Sequence, residues 1–347
     1  MKTSDFDYVL PKELIAQVPL AKRDNSRLMV INRQSETITH RVFSDILEYF
    51  KEGDVIVFNN SRVFPARLRG HKLSGAQVEV LLLKRFGGGL WQALLKPAKR
   101  LQIGSRIVLK SFANSLFNYS DEQTEVEIVE KDADGVCVLR FGDESVIGRI
   151  GAMPLPPYIT TSLADNERYQ TVYADKESSA AAPTAGLHFT EKLLLELRQK
   201  GISTVFVQLN ISLDTFRPVK ADSPLDHHIH KENYEISQYA ADIINDAKKC
   251  KRTVFCVGTS AARALEQSAL TNNGLIHSGQ AEASLLILPG HRWQIVDGLI
   301  TNFHLPKSTL LMLVSSFYSR EKILEAYYEA VRHNYRFFSF GDSMLLL

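Results

Sequence analysis

The stretch TEKLLLELRQKG (residues 190–201) followed by ISTVFVQLNISL (202–213) decides the fold class. Thr190 reads as the N-cap of a helix over Glu191–Lys200, and Gly201 ends it. The period then changes. Val205, Val207, Leu209, Ile211 and Leu213 alternate with Gln208, Asn210 and Ser212, so 202–213 reads as a strand with one apolar and one polar face. A second unit has a strand Arg252–Val257, a Gly258-Thr259-Ser260 turn and a helix from about Ala261 to Leu270. A third has a strand Leu285–Leu288, a Pro289-Gly290 turn and a helix starting at Pro306, where proline suits the first helical position. Arg320–His333 reads as one more amphipathic helix. Strands alternating with helices predict a large, layered, mixed α/β domain.

Upstream the texture differs. Between residues 55 and 141 short β-rich runs recur: Val63–Leu68, Gln77–Lys84, Leu90–Lys96, Arg106–Lys110, Thr124–Glu130 and Val136–Phe141. Glycine-bearing or polar turns separate them, which predicts a small all-β barrel or sandwich inserted in the larger domain. The expected division is 1–62 plus 151–347 for the α/β domain and 63–150 for the barrel, with the Met153-Pro154-Leu155-Pro156-Pro157 stretch marking the chain's return.

The chain has 347 residues, about two domains' worth, and its 45% apolar and 23% charged composition is that of an ordered globular protein. The longest apolar runs are about five residues, against the ~20 a membrane helix needs. The N-terminus has no basic, apolar signal-like start, and three cysteines make neither a disulfide framework nor a thiolate metal site. A cytoplasmic protein with no membrane partner is expected.

Net charge is only +2, but residues 61–110 hold eleven Lys or Arg and one acid, whereas 111–150 hold nine acids and three bases. A basic segment of this kind fits a polyanion such as RNA; equally, the acidic stretch can fold back and neutralise it.

Three stretches are candidates for chemistry. Ala180–Thr190 is dense in small residues that let backbone approach a ligand, and it carries His188, a possible acid or base. Gly258-Thr259-Ser260 resembles an anion cradle before a helix, although GxGxxG, P-loop and GxSxG patterns are absent. Thr301–Thr309 places Asn302, His304 and Lys307 ahead of another helix. The run containing His227, His228 and His230 is a weak metal signal, because no second ligand cluster accompanies it.

Along nearly its whole length the chain resembles the S-adenosylmethionine:tRNA ribosyltransferase-isomerases of queuosine biosynthesis. The matching stretches include Phe6-Asp7-Tyr8, Arg23-Asp24-Asn25-Ser26-Arg27-Leu28, Val57–Val63, Pro154–Ile159, Ala181–Thr190, Thr215–Val219, Asp297–Val314 and Tyr335–Ser339. The resemblance implies the same two-part architecture. It also implies transfer and isomerisation of the ribosyl part of S-adenosylmethionine onto 7-aminomethyl-7-deazaguanine at the tRNA wobble position, giving epoxyqueuosine and releasing adenine and methionine. S-adenosylmethionine is then consumed as a substrate, no metal or redox cofactor is required, and the partner is that tRNA; a monomer is expected.

On this footing His188, Glu232 and His304 are the expected catalytic groups. Thr184, Gly186, Asn210, Arg217, Arg263 and Asn302 are expected to bind substrate, with Arg217 and Arg263 meeting the methionine carboxylate or a phosphate. Arg67, Lys96, Lys99 and Arg100 are expected to contact tRNA. One face departs from the family: Gln208, Asn210, Ser212 and Asp214 stand where Thr, His, Gly and Gly are usual, and Asn210 cannot act as a base. The competing readings are a non-catalytic tRNA-binding protein and a conventional methyltransferase.

Overall fold

The computed structural model describes residues 1–99, 101–111, 122–132, 135–211, 219–227, 229 and 231–347. In chain order, β1 (Arg27–Asn32), β2 (Thr37–Val42) and β3 (Val55–Asn59) precede a two-residue β4 (Arg62–Val63). The barrel strands follow: β5 (Arg67–Lys72), β6 (Gln77–Gly87), β7 (Leu90–Lys96), β8 (Arg106–Lys110), β9 (Gln123–Lys131) and β10 (Val136–Phe141). After a single helical turn α1 (Ile147–Ile150) and a short β11 (Glu177–Ser179) come α2 (Glu191–Gln199), β12 (Ser203–Leu209), β13 (Glu232–Ile236) and α3 (Gln238–Lys249). The chain ends with β14 (Val254–Val257), α4 (Thr259–Thr271), β15 (Gly279–Ala283), β16 (Gly298–Asn302), α5 (Thr309–Phe317), α6 (Arg320–Arg332) and β17 (Ser343–Leu346).

Two compact units result. One comprises Met1–Ser61, Pro156–Lys176 and Ala182–Leu347; the other comprises Arg62–Leu155 and Glu177–Ala181. The smaller unit therefore has a second piece that an insertion over 63–150 leaves out, because β11 pairs in parallel with β4.

The smaller unit is a closed barrel in the order β10-β7-β6-β5-β8-β9. Its strands alternate buried and open positions, and Leu68, Val80, Leu82, Ala93, Ile107, Leu109, Ile128 and Leu139 fill the interior with no exposed surface. The expected strand Val63–Leu68 is broken: Pro65 has no N–H to give, so Arg62–Val63 pairs with β11 and the barrel strand begins at Arg67.

The larger unit is a nine-stranded sheet ordered β15-β13-β12-β3-β14-β16-β17-β1-β2. Its centre, β12-β3-β14-β16, is parallel, and β17 returns antiparallel to β16. Parallel strands are covered on both faces. Ile56, Phe58, Phe255 and Val257 join one apolar cluster with Leu193, Leu194 and Leu197 of α2, while α3 and α4 also pack on β12, β3 and β14. Thr190 caps α2 by accepting from the Leu193 N–H at 3.2 Å, as its sequence predicts.

The strand expected over 202–213 spans Ser203–Leu209, that expected over 252–257 spans Val254–Val257, and two further elements differ more. Residues 285–288 are not a strand: the Ser284 and Leu285 N–H groups donate to Gln267 Oε1, each at 3.0 Å, and side chains of α4 replace a ladder partner. The helix expected at Pro306 begins at Thr309, because Ser308 caps it by accepting from the Leu311 N–H. No helix among the described residues is long and apolar enough to cross a membrane.

Candidate active site

The C-terminal ends of β12, β14 and β16 lie at one edge of the sheet, the edge where open α/β sheets bind ligands. A cavity opens there, lined by Ala182–Ala185, Leu209 and Ile211, Gly258–Ser260, Thr301–Leu305 and Phe338 with Ser339, among others.

Each lining segment is pinned by its own chemistry. Asn59, at the end of β3, donates from Nδ2 to the Leu209 carbonyl (2.9 Å) and to Ser260 Oγ (3.1 Å), and its Oδ1 accepts from the Leu209 N–H. It thereby ties β12 to the first turn of α4. Gly258, at φ +87°, turns the chain from β14 into that helix, and no side chain caps the helix. The first-turn N–H groups of α4 are thus available to an anion in the cavity.

The backbone at His304 is held from both sides. Tyr8 Oη donates to its carbonyl at 2.6 Å, and its own N–H donates to Tyr327 Oη at 2.9 Å. This accounts for the Phe6-Asp7-Tyr8 stretch, whose Asp7 also pairs with Lys307 at 2.7 Å. His304 Nε2 shares a hydrogen bond with Thr301 Oγ1 (2.7 Å), and burial pushes the imidazole down to about 3. Nδ1 makes no hydrogen bond among the described residues. His304 therefore stands in the cavity as a neutral imidazole with one free nitrogen.

Glu232 and Arg263 also line the cavity and form a buried ion pair, Arg263 Nη1 to Glu232 Oε2. The guanidinium further donates from Nε to the Leu285 carbonyl (3.0 Å) and from Nη2 to the Ala283 carbonyl (3.1 Å). Each of its nitrogens is engaged by the protein, so a free cation for a carboxylate or phosphate, as expected from sequence, is not what the fold presents.

His188 departs further from expectation. It is 4% exposed and does not line the cavity. Its Nδ1 contacts Ser26 Oγ at 2.7 Å, its Nε2 contacts Asn302 Nδ2 at 3.2 Å, and its ring stacks on Phe43 at 4.9 Å. Burial, aided by Arg23 and Arg336, pushes it to about 3. Both ring nitrogens are bonded inside the protein, so His188, expected from sequence as an acid or base, presents neither of them to the cavity.

Gly186, expected from sequence to bind substrate, does not line the cavity, and a Cβ there would lie 2.0 Å from Tyr173 Oη, so packing requires glycine. Asn210 is half-buried on the opposite strand face from Leu209 and Ile211, where its Oδ1 accepts from Gln208 Nε2 at 3.2 Å; it does not line the cavity. Leu209, the last residue of β12, and Ile211 meet the cavity, whereas Asn210 was the residue expected from sequence to bind substrate. Thr184 and Asn302 do line it. Arg217, Ser212, Asp214, Arg100, His228 and His230 lie outside the described residues.

Sequence reasoning missed Ser26, Asn59, Tyr158 and Ser339. Tyr158 Oη and Ser339 Oγ share a 2.7 Å hydrogen bond at the cavity wall. All four fall inside the quoted family stretches, which was the available signal.

Among the described residues one trio could hold a metal: His40, Glu329 and His333, outside the cavity lining. His333 Nε2 lies 2.9 Å from Glu329 Oε1, which makes it an ion pair when protonated.

On the barrel, the acidic stretch does fold back in part. Arg85 pairs with Glu144 and Arg106 with Glu125, whereas Arg140 and Arg149 pair within the acidic stretch itself, with Glu127 and Glu122. Arg67 is half-buried, donates from Nη2 to the Leu155 carbonyl (3.0 Å) and lies 3.6 Å from Glu79, so it is not a free cation either. Lys96 and Lys99 are exposed, with no ion pair among the described residues.

A family model described as queuosine biosynthesis protein matches residues 3–346. The chain belongs to the S-adenosylmethionine:tRNA ribosyltransferase-isomerase family. A member from Dehalococcoides mccartyi (strain BAV1), which carries that name, is 50% identical over 349 residues and the match covers 100% of both chains. Another of the same name, from Clostridioides difficile (strain 630), is 47% identical over 351 residues with the same coverage. The crystal structure of an S-adenosylmethionine tRNA ribosyltransferase from Thermotoga maritima is 33% identical, with a TM-score of 0.55, covering 99% of this chain and 100% of that one.

Proposed function

We propose that the cavity at the ends of β12, β14 and β16 is where this queuosine-biosynthesis enzyme transfers and isomerises the ribosyl part of S-adenosylmethionine. The acceptor is 7-aminomethyl-7-deazaguanine at the tRNA wobble position, the product epoxyqueuosine-tRNA, and adenine and methionine leave. The observation that carries this reading is convergence: segments 182–185, 258–263 and 301–308, distant in sequence, close on one cavity.

The lining suits the chemistry. Leu209, Ile211, Phe303, Leu305, Leu310 and Phe338 supply apolar surface for the adenine and exclude water. The uncapped start of α4, with the Thr259 and Ser260 hydroxyls, suits the methionine carboxylate. The sulfonium acidifies the C5′ hydrogens, and His304 enters the reaction neutral, able to receive a proton and later to return one to a leaving group. Glu232 is a second candidate for proton transfer, with Arg263 holding its carboxylate in place. On the barrel, Lys96 and Lys99 are the proposed contacts to tRNA phosphates.

The test is to incubate the protein with S-adenosylmethionine and tRNA carrying the aminomethyl base, following adenine by chromatography and the modified nucleoside by mass spectrometry. Adenine release that depends on the modified tRNA supports the reading. Binding of tRNA without adenine release would mean a binding protein, and S-adenosylhomocysteine as product would mean methyl transfer.

A further inference from the structure

We infer that His188 serves the cavity as a positioning residue: it holds the Asn302 carboxamide so that Oδ1 is kept as a bare acceptor for an N–H or O–H donor of the bound sulfonium nucleoside. This rests on the cavity being the S-adenosylmethionine site.

The hydrogen-bond pattern admits one assignment. Asn302 Nδ2 lies 3.0 Å from the Phe338 carbonyl oxygen, which can only accept, so the amide nitrogen must face it. The same nitrogen lies 3.2 Å from His188 Nε2, so Nε2 is the acceptor and the ring proton sits on Nδ1. Nδ1–H then donates to Ser26 Oγ at 2.7 Å. Stacking on Phe43 fixes the ring plane.

What this arrangement leaves over is Asn302 Oδ1. Asn302 is 2% exposed, and its oxygen has no hydrogen-bond partner. Besides the His304 Nδ1 already described, it is the one cavity-lining side-chain polar atom among the described residues that is closed off from solvent and unpaired. An acceptor stored unpaired costs stability, which a ligand donor recovers on binding. A site with such an atom discriminates strongly against ligands lacking the matching donor. The 6-amino group of the adenine, a ribose hydroxyl and the α-ammonium are the available donors.

Three measurements decide it. First, ¹⁵N NMR of His188 at pH 6–8 should show a neutral ring protonated at Nδ1; an Nε2-protonated or charged ring overturns the assignment. Second, calorimetry should compare S-adenosylmethionine with analogues lacking the 6-amino group, a ribose hydroxyl or the α-amino group. One of them should bind the wild-type protein at least about tenfold more weakly, and Asn302→Ala should bind that analogue and the parent within about twofold of each other. Equal discrimination in both proteins, or none among the three in the wild type, overturns the proposal.

Third, His188→Leu should raise the KM for S-adenosylmethionine by about tenfold or more. His188→Gln, whose Oε1 can accept from Asn302, should recover most of that loss and keep the wild-type pH profile of kcat. A His188→Gln protein that folds and binds substrate but has lost one limb of that profile would make His188 the acid or base instead. Adenine release by the wild type is the control: its absence refutes the cavity's function, whereas its presence with failed rescue refutes only the positioning role.

Discussion

His188 and His304 are chemically alike in this structure and placed for different work. Both are buried, and burial pushes both imidazoles to about 3. His304 lies on the cavity wall with Nε2 on Thr301 and Nδ1 unbonded; His188 lies behind that wall with both nitrogens committed. A perturbed histidine therefore does not mark a catalytic group by its pKa alone. What separates the two is which ring nitrogen a substrate can reach, and that depends on neighbours contributed by Ser26 ahead of β1, by β16 and by the 335–339 stretch.

The largest effect expected is at His304. His304→Ala should lower adenine release by about 10²–10⁴-fold, the usual worth of a positioned acid or base, with S-adenosylmethionine binding retained. Calorimetry and single-turnover assays measure the two separately. A loss below about fivefold would move proton transfer to Glu232 or beyond. Next is the Glu232–Arg263 pair. Arg263→Met strands a carboxylate 4% exposed, and urea unfolding should report a loss of about 3–5 kcal/mol. The double variant Glu232→Met/Arg263→Met should regain much of it. A single-variant loss under about 1 kcal/mol would show the pair to be solvated and Arg263 free for an anion.

The third comparison is between folded and unfolded histidines. Both rings are about 3 when folded, against a usual value of 6.5. Between those limits the unfolded chain binds protons that the native chain refuses, so stability falls as pH falls from about 6.5 towards 3. Each histidine contributes at most about 1.4 kcal/mol per pH unit to that slope. Unfolding measured from pH 7 to 5 should be less steep in His188→Gln and in His304→Gln than in the wild type. An unchanged slope in either would mean that its imidazole titrates near the ordinary value.

How much of this the sequence disclosed differs between the two units. The barrel was legible because its information is local: Leu90–Lys96, Arg106–Lys110 and Val136–Phe141 are strands with the boundaries their β-rich runs and turns predict, while β6 runs on to Gly87, β9 gains a residue at each end and Pro65 breaks Val63–Leu68. In the α/β unit the elements were legible and the site only partly. Cavity walls at 182–185, 258–260 and 301–304 were singled out from small residues and polar loops before helices. The roles were not, because they are set by long-range bonds: Ser26 to His188, Asn302 to Phe338, Arg263 to Leu285. A strand's alternation also says that two faces differ without saying which one a cavity lies against. That is why Asn210 was assigned to the cavity and Leu209 and Ile211 were not.

The same contrast between local pattern and pairing gives the smallest and most specific expectation. A run of eleven bases over 61–110 overstates the barrel's free charge, because acids from elsewhere in that unit and from within the run neutralise Arg67, Arg85 and Arg106. Lys96 and Lys99 are exposed and are the proposed contacts to a phosphate. Lys96→Gln/Lys99→Gln should weaken tRNA binding and flatten the slope of log K against log salt by about 0.7–0.9 per lost contact. Arg106→Gln, whose charge is already balanced by Glu125, should change that slope much less. If Arg106→Gln flattens it as much as the lysine pair does, the ion pair opens on binding and ion-paired cations of the run contact the RNA together with Lys96 and Lys99.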